Sequence, residues 1–554
     1  MTADDDAGKG SLQRQSNLVA GGILLSRLAG LAREKLTGYY LGANLGAEAF
    51  RAALRIPNLL QNLLGEGVLS ASFIPVHARL LAEGRDRDAG RLAGAIAGLL
   101  AMVAGVLVLV GVLFAAPITR VVAPGFPPGT EKYELTVTLV QILTPGVGFL
   151  VLSAWCLGVL NSHRRFFLSY VAPVMWNAAI IAALVTAGAA GLTETSVAVA
   201  MGWGVLAGGV LQFAIQLPTV IRLSSGLRVS LSTSVPGVRE VGRAFAPIVA
   251  GRGVVQLSAY LDLLIASLLA TGAVAALGYA QVLYLLPVSL FGMSVAAAEL
   301  PELSSIDHED RASVVARIEA GLSRMGFFVV PSAVAFIVLG DLVVGTLYEG
   351  GRFRPADTVQ VAVVLGAYGL GLLASTATRL LQSALYGAGD ARRPAILAAV
   401  RVGVSTLVGI ALMLPLDLLR VTETGVIEQV APLSELGIAT SEDRGSVTNE
   451  LRLGAVGLAL GAAVGAWVEL GLLRRAIGRR FGRVRLGGGR LARALLATVP
   501  LALVGTAARP LVDGLAPWIG GPLALGAAGL AYLVTARALG LPEAAELLAR
   551  VRRR

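Results

Sequence analysis

The sequence predicts an all-α, polytopic membrane protein with about 14 transmembrane helices. Its 554 residues are 55% hydrophobic and only 15% charged. The mean hydropathy is +0.75, which is too apolar for a soluble protein of this length. Apolar runs long enough to cross a bilayer recur along the whole chain, separated by short polar or Gly- and Pro-rich breaks.

These apolar runs define the elements in order. They fall at residues 15–40, 47–81, 91–117, 132–161, 167–189, 194–221, 240–270, 274–302, 313–340, 357–386, 392–418, 453–477, 489–509 and 515–538. Arginines concentrate in alternate loops, whereas the loops near 41–46, 187–196 and 270–275 contain neither Lys nor Arg. Since positive charge marks the cytoplasmic side, we expect both termini to be cytoplasmic.

The composition argues against several kinds of site. Cys156 is the single cysteine, and the three histidines (His77, His163, His308) lie in separate segments. We therefore expect no disulfide framework, no metal site and no cofactor. The formal net charge of +11 comes almost entirely from Arg. In a membrane protein such charge favours anionic lipid head groups over nucleic acid, and the basic tail 550–554 is interpreted as a membrane-surface anchor.

The second apolar run carries polar side chains at helical spacing. Steps of three and four residues place one set on a single helix face: Glu48, Arg51, Arg55, Asn58, Asn62 and Glu66. Such a face lines either a water-filled cavity or a polar seam between helices. The cavity is favoured because six polar groups are more than packing specificity needs. The alternative is that these charges neutralise each other across a packed interface.

The same helix contains residues that favour a bend. Pro57 removes one backbone hydrogen bond in mid-helix, and Gly65 and Gly67 loosen the chain beyond it. Interrupted helices often place a hinge or a ligand contact at membrane depth. These three residues are therefore the predicted hinge.

Charges also lie in the first and seventh runs. Arg27 is near the middle of the first run and shares a helix face with Glu34, while Arg33 points elsewhere. Arg252 and Asp262 lie in the seventh run, roughly 15 Å apart along a helix axis, so they cannot pair directly. Arg252 is a candidate anion ligand or a structural partner of Glu34 or Glu48. Asp262 is a candidate cation or proton coupling site.

A concentration of guanidinium groups in a membrane favours an anionic substrate. Arg stays charged, and its planar fork binds phosphate or carboxylate oxygens bidentately. A phosphorylated lipid is both anionic and membrane-bound. The sequence therefore predicts a protein that moves or binds such a lipid.

Several motifs resemble those of the MurJ/MviN lipid II flippases in the MOP exporter superfamily. They include Ser26-Arg27-x-x-Gly30-x-x-Arg33, Pro57-Asn58-Leu59-Leu60, Glu66-Gly67-x-x-Ser70-x-x-Phe73-x-Pro75-Val76, Ala123-Pro124-Gly125-Phe126 and Tyr386-Gly387-Ala388-Gly389-Asp390. The resemblance covers most of the first twelve runs.

The resemblance implies two six-helix lobes around a central cationic cavity, plus two C-terminal helices, in a bacterial cytoplasmic (inner) membrane. The implied divisions are a cytoplasmic N-terminal tail (1–14), a first lobe (15–222), a cytoplasmic linker (223–239), a second lobe (240–477) with an outer hydrophilic insertion (420–451), and a C-terminal region (478–554) with a basic loop, two helices and a basic tail.

The implied function is flipping of lipid II from the cytoplasmic to the outer leaflet by alternating access. The residues expected to contact substrate are Arg27, Arg33, Glu48, Arg51, Arg55, Asn58, Glu66 and Arg252. The expected partners are lipid II or a related polyprenyl-pyrophosphate-linked substrate, membrane lipids and the cell-wall synthesis machinery. We expect a monomer that binds no nucleic acid. No ATP-binding motif is present in the sequence, so membrane potential or an ion gradient is the expected driving force.

The chain departs from the family pattern at two informative positions. Val282 stands where relatives usually have an Arg that is expected to bind pyrophosphate, and Gln61 replaces another frequent Arg. Our hypothesis is that Arg252, together with Arg51, supplies the missing charge.

Three alternatives to lipid II flipping stay open. The first is an exporter of another polyprenyl-linked saccharide or an anionic lipid. The second is a membrane enzyme acting on lipid phosphates, for which the sequence lacks paired carboxylates or a His cluster. The third is a scaffold that tolerates neutralised arginines.

Overall fold

The computed structural model describes residues 3–293, 311–390, 392–422, 425–432, 434, 436–485 and 487–552. The chain forms two compact units, Met1–Leu264 and Ile265–Arg554. Within the described residues, 12 helices are long and apolar enough to cross a membrane. The predicted class, an all-α polytopic membrane protein, is confirmed, whereas the count of about 14 spans stays a prediction.

In the described part of the first unit, every regular secondary-structure element is a helix. Its helices are α1 (Ala3–Leu41), α2 (Leu45–Leu64), α3 (Glu66–Ser72), α4 (Ile74–Ala82), α5 (Asp86–Leu113), α6 (Ala115–Val122), α7 (Glu131–Ser162), α8 (Phe166–Ala189), α9 (Glu194–Leu223) and α10 (Val238–Ala266), the last of which ends just inside the second unit.

The second unit adds a small hairpin to its helices. Its elements are α11 (Ala273–Pro287), a π-helical turn (Val288–Met293), α12 (Arg311–Val338), α13 (Gly340–Tyr348), α14 (Pro355–Gly387), α15 (Arg392–Leu416), β1 (Leu419–Val421), β2 (Ile427–Gln429), α16 (Ser441–Gly445), α17 (Gly454–Arg480), α18 (Gly488–Val512), α19 (Pro517–Ala538) and α20 (Pro542–Arg552).

The core of the first unit forms where apolar faces of the short helices α3 and α4 pack against α5 and α7. Phe73, Leu92 and Val159 are completely buried there. Trp155 lies in the same cluster, and its indole Nε1 donates to the carbonyl oxygen of Ala93 over 3.0 Å. The otherwise unsatisfied indole N–H is thus paired, which fixes α7 against α5.

The segment predicted as an inter-lobe linker packs along α5. A Cβ atom at Gly94 would lie 2.1 Å from the carbonyl oxygen of Arg228, and Gly90 and Gly98 approach the same segment as closely. The amide of Ser230 donates to the carbonyl oxygen of Gly94 over 3.4 Å. Glycine is needed at these positions because only a backbone without Cβ permits the approach.

The hydrophilic insertion of the second unit is anchored at its C-terminal end. β1 and β2 pair antiparallel. Asn449, which is buried, donates from Nδ2 to Asp357 Oδ1 over 2.8 Å and to Gln360 Oε1 over 2.7 Å. Arg452 Nη2 lies 2.7 Å from Asp443 Oδ2. The two hydrogen bonds of Asn449 join the insertion to α14, so this end is part of the folded unit.

Candidate functional site

Two arginines of the first unit share one carboxylate. Arg33 Nη2 on α1 donates to Glu34 Oε1 over 2.8 Å, and Arg51 Nη2 on α2 donates to Glu34 Oε2 over 3.1 Å. The three side chains are 13–17% exposed. We call Arg33, Glu34 and Arg51 the guanidinium cluster. Two guanidinium groups directed at one carboxylate present N–H donors in the arrangement that binds an anion's oxygen atoms.

Helix α8 orients one member of this cluster. Arg33 Nη1 donates to Asn177 Oδ1 over 3.2 Å, and the Arg33 guanidinium lies 4.9 Å from the centre of the Trp176 ring. Asn177 is itself fixed, because its Nδ2 donates to the Pro173 carbonyl oxygen over 3.1 Å. The cation is therefore held in place before any ligand binds, which lowers the entropic cost of binding.

Arg55 lies beside α10. Its guanidinium is 5.8 Å from the centre of the Tyr260 ring, and the Tyr260 hydroxyl donates to the Arg55 carbonyl oxygen over 2.9 Å. Asp262, the candidate coupling residue, follows two residues later on α10 and is half-buried. The aromatic contact fits an arginine that is only partly solvated.

Glu48 has a different environment from the guanidinium cluster. Its Oε2 lies 2.8 Å from Lys132 Nζ on α7, and both side chains are 1% exposed. The ammonium also lies 4.8 Å from the centre of the Phe126 ring. This part of the polar stripe matches the alternative in which charges neutralise each other across a packed interface. The role of Glu48 in substrate contact stays a prediction.

The predicted hinge coincides with an interruption of the helix. Helix α2 continues through Pro57 and ends at Leu64, Gly65 has extended backbone angles (φ −89°, ψ −155°), and α3 begins at Glu66. A Cβ atom at Gly65 would lie 2.2 Å from the carbonyl oxygen of Gln61, so this break requires glycine. Gly67 falls within α3, and the hinge function stays a prediction.

The remaining predicted residues are placed as follows. Arg27 is exposed on α1, and Asn58 is half-buried on α2. The side chains of Arg252 and Glu66 lie outside the described residues. The structure thus brings Arg33 and Arg51 together and places Glu48 in a separate pair.

Several residues around these sites were not among the predicted ligands. Lys132 carried a signal, since it is one of three lysines and stands at the start of the apolar run 132–161. Asn177 carried a weaker signal, as an amide side chain within the apolar run 167–189. Trp176 and Tyr260 gave none, because aromatic residues in apolar helices usually fill a core. Among the described residues, no group of three or more His, Cys, Asp or Glu could hold a metal ion.

Comparisons with known proteins identify the family. A family model described as lipid II flippase MurJ matches residues 37–422. A probable lipid II flippase MurJ of Rhizobium tropici is 34% identical over 406 residues, covering 73% of this chain and 76% of the relative. The lipid II flippase MurJ of Burkholderia cenocepacia is 34% identical over 382 residues, covering 68% and 73%.

Solved structures share the fold. A lipid II flippase MurJ in an inward closed conformation matches with a TM-score of 0.72 and 21% identity, covering 94% of this chain and 97% of that one. An inward-facing multidrug resistance MATE family transporter of the MOP superfamily matches with a TM-score of 0.58 and 15% identity, covering 82% and 95%. From these matches, the chain belongs to the lipid II flippase MurJ family, a family of membrane transporters and not of enzymes.

Proposed function

We propose that this protein flips lipid II from the cytoplasmic to the outer leaflet of a bacterial inner membrane, with both termini in the cytoplasm. The observation that carries this proposal is the guanidinium cluster, two arginines held on one carboxylate inside the helices of a MurJ-family chain. A pyrophosphate with a lipid tail has the charge and the location that such a cluster suits.

Glu34 neutralises part of the cluster's positive charge when no substrate is bound. Buried cations need a counter-ion, and this carboxylate supplies one while the site is empty. An arriving pyrophosphate offers more negative charge and more acceptor oxygens than one carboxylate, so it competes for both guanidinium forks. In the proposal Arg33 and Arg51 turn from Glu34 toward the phosphates.

The other predicted residues complete this proposal. Arg27, Arg55 and Arg252 hold the head-group phosphates as well, and Asn58, Glu66 and Glu48 line or brace the path. Alternating access moves the head group, with Pro57, Gly65 and Gly67 absorbing the change in backbone angles. Membrane potential or an ion gradient drives it, and Asp262 is the proposed coupling residue.

Arg252 and Arg51 are proposed to replace the family arginine that is absent at Val282. Arg51 is supported in this role by its place in the guanidinium cluster. Full flipping by both Arg252→Ala and Arg51→Ala would refute the compensation.

A flipping assay with the purified full-length chain tests the function. Proteoliposomes containing fluorescent lipid II report transfer between leaflets. We expect transfer by the unmodified protein and at least a tenfold lower rate for Arg33→Ala, since a charge-assisted contact contributes about 1.5–3 kcal/mol. Arg91→Ala is the matched control, because Arg91 is 63% exposed and 4.0 Å from its nearest acidic partner. Absence of transfer by the unmodified protein, or equal rates for Arg33→Ala and Arg91→Ala, contradicts the proposal.

A second cargo is favoured by one observation, Val282 in place of the usual Arg. A different polyprenyl-linked saccharide, or an anionic lipid, would need a different arrangement of cations. The same proteoliposomes decide between them: transfer of another polyprenyl-linked saccharide faster than lipid II supports the second cargo.

A further inference from the structure

A polar cavity of about 350 Å³ lies within the first unit, among α1, α2, α7, α8 and α9. Its volume is at the lower end of the range for ligand pockets, ~300–1,000 Å³. The polar residues that the argument uses are Arg33, Ser153, Trp176, Asn177, Gln212 and Gln216. Such a lining is unusual among helices that cross a membrane, where buried polar groups are costly.

Two buried polar atoms in this lining have no hydrogen-bond partner within the part of the chain that the structure describes. They are the acceptor Gln216 Oε1 and the donor Trp176 Nε1. Gln216 is 1% exposed, and its Nε2 already donates to Ser153 Oγ over 2.6 Å and to the Gln212 carbonyl oxygen over 2.9 Å. An unsatisfied buried polar atom costs about 1–3 kcal/mol. A cavity that keeps both a donor and an acceptor unsatisfied is thus prepared for a polar occupant.

The chemistry of the lining restricts which class of ligand can bind in the cavity. Its described residues include Ser, Asn, Gln and Trp groups and one cation, Arg33, but no carboxylate. A positively charged ligand would find no counter-charge among these lining residues. A neutral group that both donates and accepts, joined to an anion at Arg33, satisfies all of these atoms. An acetamido sugar attached to a phosphate has these properties.

We propose that this cavity binds the first sugar of a pyrophosphate-linked saccharide while Arg33 holds the adjoining phosphate. Gln216 Oε1 accepts from a sugar hydroxyl or acetamido N–H, and Trp176 Nε1 donates to a sugar oxygen. This inference rests on the proposed function and gives it selectivity, because a polyprenyl pyrophosphate without sugar leaves both atoms unsatisfied.

Comparing the affinities of two lipids distinguishes the contribution of the sugar from that of the phosphate. The full-length chain in lipid nanodiscs is titrated with lipid II and with undecaprenyl pyrophosphate, which lacks sugar, and both dissociation constants are measured. We expect tighter binding of lipid II by the unmodified protein. Trp176→Phe, which keeps the ring beside Arg33, and Gln216→Leu should each weaken lipid II about tenfold and leave undecaprenyl pyrophosphate unchanged.

Thr144→Val is the matched control, because Thr144 is fully buried on α7, donates only to the Val140 carbonyl oxygen among described residues and does not line the cavity. Its two affinities should match those of the unmodified protein. If Gln216→Leu does not fold, Trp176→Phe decides alone.

The other outcomes overturn the inference in distinguishable ways. Unchanged lipid II affinity in Trp176→Phe means that the cavity holds only water, and the flippase proposal stands. Equal weakening of both lipids means that Trp176 acts only by positioning Arg33. No preference for lipid II in the unmodified protein also refutes the sugar site. Failure of the unmodified protein to bind either lipid refutes the proposed function itself.

Discussion

The buried pair of Glu48 and Lys132 allows a direct test of how a buried ion pair contributes to the stability of this fold. The two side chains join α2 to α7 at 2.8 Å, each 1% exposed. Glu48→Gln removes the negative charge while keeping the shape, and it leaves Lys132 as a buried cation with a weaker partner. Glu48→Leu combined with Lys132→Met removes both charges and keeps most of the volume.

The single and the double variant should differ strongly in how much they lower the free energy of unfolding. Removing one partner of a buried ion pair costs about 3–5 kcal/mol, because the remaining charge stays desolvated without compensation. Replacing both partners by apolar residues is close to neutral, since the desolvation penalty disappears together with the attraction. We therefore expect Glu48→Gln to destabilise the protein by about 3 kcal/mol and the double variant by less than about 1 kcal/mol.

Titration with SDS in mixed micelles measures the free energy of unfolding for each variant. Glu240→Gln is the matched control, because Glu240 pairs with Arg79 at 2.6 Å while both side chains are about half exposed. An exposed pair contributes about 0–1 kcal/mol. Equal destabilisation by Glu48→Gln and Glu240→Gln would show that the Glu48 pair does not stabilise the packing of α2 on α7.

Two further predictions concern Asp417 at the end of α15 and the segment 223–239 that packs along α5. Burial raises the pKa of Asp417, which follows α15, to about 6, with Arg452 opposing the rise. The folded state therefore binds more protons than the unfolded state between about pH 4 and pH 6. The free energy of unfolding should fall by roughly 2–4 kcal/mol as pH rises through this window. Asp417→Asn should abolish this fall in unfolding titrations, and a fall that persists in the variant would refute the assignment to Asp417. Gly94→Ala should displace the segment around Arg228 from α5, since the added Cβ would lie 2.1 Å from its carbonyl oxygen; limited proteolysis should then cleave the linker faster than in Gly105→Ala, which has open space, and equal rates would refute the packing argument.

Much of the fold could be predicted because each transmembrane helix leaves its own local signal. The run predicted at 167–189 is the helix Phe166–Ala189, and the run at 392–418 is the helix Arg392–Leu416. Hydropathy and Gly or Pro breaks are properties of consecutive residues, so they can be read without knowing what packs where. The run at 47–81 was predicted as one helix, but the structure divides it into three helices, with breaks at Gly65 and Phe73.

The pairing of charges could not be predicted, because the partners are distant in sequence. Glu48 meets Lys132, 84 positions away, and Arg401 Nη1 lies 3.1 Å from Glu469 on a different helix. The stripe on α2 was correctly seen as polar, but helical spacing does not say whether a carboxylate faces water or a buried ammonium. The unsatisfied atoms of Gln216 and Trp176 depend on the packing of five helices, which no local pattern records.

The most direct test of the central claim is replacement of a bacterium's essential lipid II flippase by this chain, with membrane insertion measured for every variant. Cells carrying the unmodified chain should grow, and cells carrying an equally well inserted Arg27→Ala chain should not, because the proposed mechanism holds the head-group phosphates through arginines of this first unit. No rescue by a well-inserted unmodified chain, or equal rescue by both chains, would contradict the account.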